Sequence, residues 1–141
     1  DHIACANDLD CPVAIHKNGA SALPDPNQNL SCNFGDPISI HADILLREGS
    51  QIVFNGDSFD ILHTPGHSPD SICILGHDVL ISGDTLFQNS FGRFDLPGGN
   101  VAELRRSLRR LLNLPFVTKV LPGHGSATTL EEARKAISFF L

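Results

Sequence analysis

Between Gln51 and Ser82 the chain lays out one arrangement twice: a short run rich in β-branched residues, a tight turn, and a second such run. Gln51-Ile52-Val53-Phe54 and Phe59-Asp60-Ile61-Leu62 flank Asn55-Gly56-Asp57, and Ser71-Ile72-Cys73-Ile74-Leu75 and Val79-Leu80-Ile81-Ser82 flank Gly76-His77-Asp78. Asn-Gly between two such runs is a strong hairpin signal, because both turn positions accept a positive φ. Four strands of one antiparallel sheet are expected, and an apolar sheet face has to be covered by another layer.

Helical signals follow the sheet. Val101, Leu104, Leu108, Leu111 and Leu112 form an apolar stripe behind a capping-box-like start at Asn100 and Glu103, so a helix is expected from Val101 to about Leu112. Val117 to Leu121 reads as a strand, and a last helix starts near Thr128 or Thr129, each followed three residues later by a glutamate. Ahead of the sheet, Asp1 to Leu9 reads as a short helix and Val13-Ala14-Ile15 as a short strand ending at His16. Lys17 to Leu23 reads as a helical turn. Pro24 to Pro37 reads as a polar, Pro-punctuated loop that could rim an active site. With 141 residues the chain is long enough for one domain with a real core, of the α/β (layered α+β) class.

A formal charge of -6 and the lack of any basic run beyond Arg105-Arg106 and Arg109-Arg110 speak against a nucleic-acid or anionic-membrane partner, and those arginines read as the solvated face of a helix. No apolar stretch has the length of a membrane span and nothing signals export, so a cytoplasmic setting is expected. The four cysteines are irregularly spaced, which indicates neither a thiolate zinc site nor a disulfide framework; reduced, partly buried thiols are expected. A first residue of Asp and the absence of Met point to a mature, trimmed or proteolysed product.

Chemistry concentrates in short turns and at the chain start: Asp1-His2, His67 in His-Thr-Pro-Gly-His, Asp84 in Ser-Gly-Asp-Thr, and His124 in Pro-Gly-His-Gly. Imidazoles and carboxylates on Gly/Pro turns behind apolar runs are how a scaffold aims ligands at a divalent metal. A carboxylate between two imidazoles can bridge two ions, and two ions in contact with one water make it acidic enough to hydrolyse a carbonyl compound near neutral pH. No Gly-x-Ser-x-Gly elbow or recognisable catalytic cysteine offers a rival nucleophile. His63, just before its turn, reads as a hydrogen-bonding residue that orients its neighbours. His16, His41 and His77 read as solvent-exposed.

These motifs resemble those of the metallo-β-lactamase-fold hydrolases, and within them the hydroxyacylglutathione hydrolases, or glyoxalase II-like proteins. The resemblance covers nearly the whole chain. It rests on Asp1-His2-Ile3 as the tail of a His-x-His-x-Asp-His signature, His63-Thr64-Pro65-Gly66-His67-Ser68-Pro69, Ser82-Gly83-Asp84-Thr85-Leu86-Phe87 and Leu121-Pro122-Gly123-His124-Gly125. Gly92-Arg93-Phe94-Asp95-Leu96-Pro97-Gly98-Gly99 is similar to the Gly-Arg-Thr-Asp-Leu-Pro-Gly-Gly stretch of the glyoxalase II-like branch.

The resemblance implies the larger, C-terminal part of an αββα metallo-beta-lactamase fold. It makes residues 1–141 a single partial domain, with the first β-layer and the His-x-His motif lying upstream. It implies that Asp1, His2 and His124 hold one metal, that Asp84 bridges, and that His67 belongs to the other metal, with Asp1 also orienting the nucleophilic water as a catalytic residue. Zinc is the implied metal, two ions in the intact family, with iron or manganese also compatible with His/Asp ligands. The implied substrate is a small-molecule thioester such as a hydroxyacylglutathione. The departures are Phe94 for the usual Thr, Asp70 where Gly is common, and no C-terminal helical domain with glutathione-binding groups after Leu141.

Without the upstream histidines one site keeps four donors, Asp1, His2, Asp84 and His124, and the other keeps only His67 and the shared Asp84. At most one tightly bound metal is therefore expected. Loss of the first layer should bare an apolar sheet face, which a retained N-terminal fragment or the second copy of a homodimer would cover. Arg93 and Asp95 read equally as a pair pinning their loop and as a substrate contact through Arg93. Phe91, Phe94, Phe139 and Phe140 read as core rather than as a substrate wall. Three competing readings stand beside the thioesterase. One is an inactive truncated metal-binding domain. A second is an iron-dependent persulfide dioxygenase, which Leu96-Pro97-Gly98-Gly99 disfavours. The third is a β-lactamase, disfavoured by Asp84 where the most familiar antibiotic-hydrolysing branch carries Cys.

Overall fold

A computed structural model describes residues 1–115 and 117–141, which form two compact units, Asp1–Leu46 and Arg47–Leu141. In the first unit the opening helix is not formed. Turns run through His2 to Cys5, and a single 3-10 turn covers Ala6–Asp8, with no side chain capping it. A nine-residue segment has too few hydrogen bonds to repay helix nucleation. Strand β1 (Ala14–His16) pairs in parallel with β2 (Ile44–Leu46), in the register Ala14↔Ile44. A 3-10 turn at Lys17–Gly19 stands where a helical turn is expected.

The loop from Pro24 to Pro37 holds a 3-10 turn at Ser31–Asn33 and is stitched from inside: the Asn29 amide donates to the carbonyls of Leu23 and Ile38, at 2.9 and 2.8 Å. Leu23, Ile40 and Leu46 are buried. His16 is buried too, at 2% exposure, against the expectation of a solvent-exposed ring; its Nδ1 accepts the Asn18 N–H at the head of the Lys17–Gly19 turn.

The second unit contains the expected antiparallel sheet. Strands β3 (Gln51–Phe54), β4 (Asp57–His63), β5 (Ile72–Gly76) and β6 (Val79–Gly83) pair in sequence, with Asn55 and Gly56 at φ 51° and 88° in the first turn. Helix α1 (Val101–Leu111) then carries the chain to β7 (Lys119–Pro122), which lies parallel to β6. A parallel neighbour needs such a crossover. The two-residue strand β8 (Thr128–Thr129) closes that edge and leads into α2 (Leu130–Ile137).

Asn100 caps α1 by accepting the N–H groups of Ala102 and Glu103, while its own N–H donates to the Gly66 carbonyl. The return half of a capping box is therefore not made, and Glu103 pairs with Arg106 instead. Val101, expected in the apolar stripe, is 38% exposed, and Ser107 is buried instead with its hydroxyl donating to the Pro65 carbonyl. Cys73, Leu80 and Val120 on the sheet pack with Leu104, Leu108 and Leu111 of α1 and with Leu130, Ala133 and Ile137 of α2.

Strand alternation turns Ile52, Phe59, Ile61, Ile74, Ile81 and Leu121 to the opposite face, in register across five strands. On that face Ile61 is fully buried and Ile81 is 42% exposed. Among the described residues no helix is long and apolar enough to cross a membrane. Cys5, Cys11 and Cys32 are exposed free thiols. Cys73 is buried, and burial pushes its thiol up to about 11.

Candidate metal centre

Three turns at one end of the second unit's sheet carry the ligand-type side chains. β4 ends at His63, and the Thr64-Pro65-Gly66 turn sets His67. β6 ends at Gly83, so Asp84 follows directly, and β7 ends at Pro122, two residues before His124. The turns are tied together through the backbone: Gly123 N–H donates to the Gly83 carbonyl at 2.9 Å, and Thr64 N–H to the Ser71 carbonyl at 2.9 Å. The Thr64 and Thr85 hydroxyls, both buried, meet at 3.0 Å and join the turn before His67 to the residue after Asp84. Gly66 is forced by packing, since a Cβ there would meet the Leu104 backbone nitrogen at 2.3 Å.

The result is one carboxylate oxygen faced by two imidazoles. Asp84 Oδ2 lies 3.8 Å from His67 Nε2 and 3.6 Å from His124 Nε2. Both separations are too long for hydrogen bonds, yet in each pair an ion about 2.0–2.2 Å from both atoms would span the gap. Asp84 and His67 are mostly sheltered, at 18% and 22% exposure, and His124 is half open at 53%. The ring of Phe87 meets that of His124 edge-on at 6.2 Å.

The tautomer of His67 is set from behind. Its Nδ1 lies 2.7 Å from the Arg93 carbonyl, an atom that can only accept, so Nδ1 carries the proton. In the neutral ring the Nε2 lone pair then faces the lone pairs of the Asp84 carboxylate, an arrangement that calls for a cation between them. A carboxylate oxygen with an imidazole nitrogen on either side suits divalent transition metals, with Asp84 placed to bridge.

Of the other sequence candidates, Asp1 and His2 lie in the first unit, exposed, ahead of its first 3-10 turn. His63 turns its Nε2 to the Pro69 carbonyl at 2.9 Å, which fixes the loop between β4 and β5. His41 is exposed, and His77 is exposed with its Nε2 3.2 Å from Asp57. The Arg93 guanidinium makes a bidentate pair with Asp95, two bonds of 2.8 Å, and this pairing holds the Asp95 carboxyl down at about 2. The part of Arg93 that reaches the ligands is its backbone carbonyl.

Two contributors have no signature of their own in the sequence. A Cβ on Gly92 would sit 1.8 Å from the Asp84 carbonyl oxygen and 3.1 Å from His67 Nδ1, so only glycine lets this part of the loop lie against both residues. Glu48 accepts the His63 N–H at 2.7 Å and pairs with Arg110, linking the end of β4 to α1. The Gly-bounded 92–99 stretch is a signal that could have pointed to Gly92. A lone glutamate carries none.

Comparison with known proteins agrees with this geometry. The profile of the Metallo-beta-lactamase superfamily matches residues 1–124. The chain is 38% identical over 137 residues to the probable metallo-hydrolase YqgX of Bacillus subtilis, covering 91% of this chain and 65% of that protein. Among solved structures it is similar to BLEG-1 B3 metallo-beta-lactamase, with a TM-score of 0.88 and 37% identity, over 99% of this chain and 72% of the other. It is also similar to TTHA1623 in a di-iron-bound form, with a TM-score of 0.81 and 33% identity, over 96% and 70%. The chain spans 45% of the length of an uncharacterized relative from Aquifex aeolicus and 62% of one from Mycobacterium leprae. On the match to its profile and on the ligand turns that carry it, the chain belongs to the metallo-beta-lactamase superfamily.

Proposed function

We propose that this chain is the metal-holding part of a hydrolase that cleaves a thioester, with a hydroxyacylglutathione as the best-fitting substrate class. The observation that carries the hydrolytic reading is the shared approach of His67 and His124 Nε2 to one oxygen of Asp84. The similarity of Gly92–Gly99 to the glyoxalase II-like stretch supports the thioester. In this reading Asp1 and His2 join His124 and Asp84 as ligands, and Asp1 orients the attacking water.

A bound divalent ion supplies an acidified water and a Lewis acid for the carbonyl. The chain's own residues supply orientation. The Arg93 carbonyl keeps the His67 Nε2 lone pair directed at the ion, and the sheltered Asp84 carboxylate places negative charge where cations gather. A thiolate leaves without a strong general acid, which suits a site whose donors are all committed to metal. Zinc is the favoured ion. Iron gains support from the di-iron form of TTHA1623, and manganese fits the same donors.

The test is hydrolysis of S-lactoylglutathione by this chain beside a form extended upstream to include the His-x-His residues, each loaded with zinc, iron or manganese. The extended form should be active and its Asp84→Asn variant should lose at least about a hundredfold, as expected when a metal ligand is removed. The 141-residue chain should be impaired. A second reading, β-lactam hydrolysis, is favoured by the likeness to BLEG-1. An extended form that opens a chromogenic cephalosporin but leaves the thioester intact would replace the first reading with the second.

A further inference from the structure

The segment between the Asp84 turn and α1 is anchored from an unexpected side. Phe91 and Phe94 flank Gly92 and Arg93, the two residues that lie against His67 and Asp84. Phe91 stacks on Phe140 with ring centroids 3.9 Å apart and 27° between planes, and Phe94 lies nearly parallel to Phe140 at 6.2 Å. Phe140 is itself gripped by α1: the Arg105 guanidinium sits 4.7 Å over its ring, and Arg105 Nε donates to its carbonyl at 2.9 Å. At the other end of the segment, Leu86 bridges to Phe91, so the loop leaves Asp84 and returns to it within eight residues.

We propose that Phe140 is a positioning residue for His67, acting through its stacking on Phe91 and Phe94 on the Arg93 carbonyl that holds the imidazole Nδ1–H. Carbonyl acceptors behind ligating histidines fix both tautomer and ring direction, and their loss costs about 10–100-fold in metal affinity. The Arg93 carbonyl has no covalent anchor nearer than its own loop. Aromatic stacking at 3.9 Å is a contact strong enough to hold it, since such pairs are worth more than the area they bury. The bidentate Arg93–Asp95 pair stiffens the same residues from the solvent side. The inference rests on His67 being a metal ligand, as proposed above, only in its consequence for affinity; the link from Phe140 to the His67 ring stands apart from any metal.

The test separates the two. Imidazole nitrogen shifts of His67 in metal-free, isotope-labelled chain, at a pH where the ring is neutral, report which nitrogen carries the proton. Zinc affinity is measured in parallel by competition with a chromophoric chelator. In Phe140→Ala the single Nδ1–H tautomer should give way to a mixture and zinc should bind about tenfold more weakly, whereas Phe140→Trp should keep both close to the parent. Arg105→Leu, which removes the grip on Phe140 and leaves the core intact, should move both in the same direction by less. An unchanged tautomer in Phe140→Ala and Arg105→Leu would overturn the proposal. A shifted tautomer with unchanged zinc affinity would uphold the Phe140 link and overturn the assignment of His67 as a ligand.

Discussion

At Gly92 a single missing atom shapes the ligand cluster. The Asp84 carbonyl oxygen stands 1.8 Å from where a Cβ would be, so Gly92→Ala must push the loop off Asp84 and take the Arg93 carbonyl with it. The expected cost is about 3 kcal/mol, at the upper end for an overpacked site, and urea unfolding measures it; a variant as stable as the parent would contradict the close approach. The buried hydroxyl pair gives a second check. Thr64→Val and Thr85→Val should each cost about 1–3 kcal/mol by stranding a partner, and the double variant should cost less than their sum because the stranded group is gone. Strictly additive costs would show that the two hydroxyls do not act together. At this scale His67, Asp84 and His124 were legible because glycine and proline mark the turns that aim them. The Arg93 carbonyl was not legible, since every residue carries a carbonyl and residue type says nothing of which one will meet a ring.

Elements show the same division. Both hairpins and α1 could be read from alternation, turn residues and caps, and lie within one or two residues of the expected bounds, whereas α2 starts as expected but ends at Ile137 instead of running to Leu141. The opening helix failed because nine residues cannot nucleate alone. Strand β1 was legible, but β2 and β8 were not, because two- and three-residue strands take their conformation from partners distant in sequence. The arginines of α1, read as a solvated face, are exposed but engaged. Arg105 holds Phe140, Arg109 reaches the Leu141 carbonyl, and Arg110 pairs with Glu48.

The Glu48 pairing has a pH signature. The hydrogen bonds from Arg110 hold the Glu48 carboxyl below the usual glutamate range, the His63 N–H adding to the effect and partial burial opposing it. A carboxyl with a lowered folded-state pKa contributes stability that is fully present above its unfolded value and is lost as pH falls through the lowered one. Glu48→Gln should therefore destabilise the chain modestly at neutral pH, with the gap closing on acidification, as followed by denaturation midpoints from neutrality downward. A gap that widens in acid would reverse the sign and refute the pairing.

In the whole molecule, the sheet of the second unit brings His67, Asp84 and His124 to one end of its strands. The superfamily relatives it matches are longer than this chain, which spans 45% of one and 62% of another. The central claim is that Asp84, flanked by His67 and His124, holds a divalent cation, and cobalt substitution tests it most directly. Titrating metal-free chain with Co²⁺ should give visible bands of low-coordinate cobalt saturating at no more than one equivalent, and Asp84→Asn and His124→Ala should each abolish them. Bands that survive both substitutions, or saturation at two equivalents by this chain alone, would contradict it.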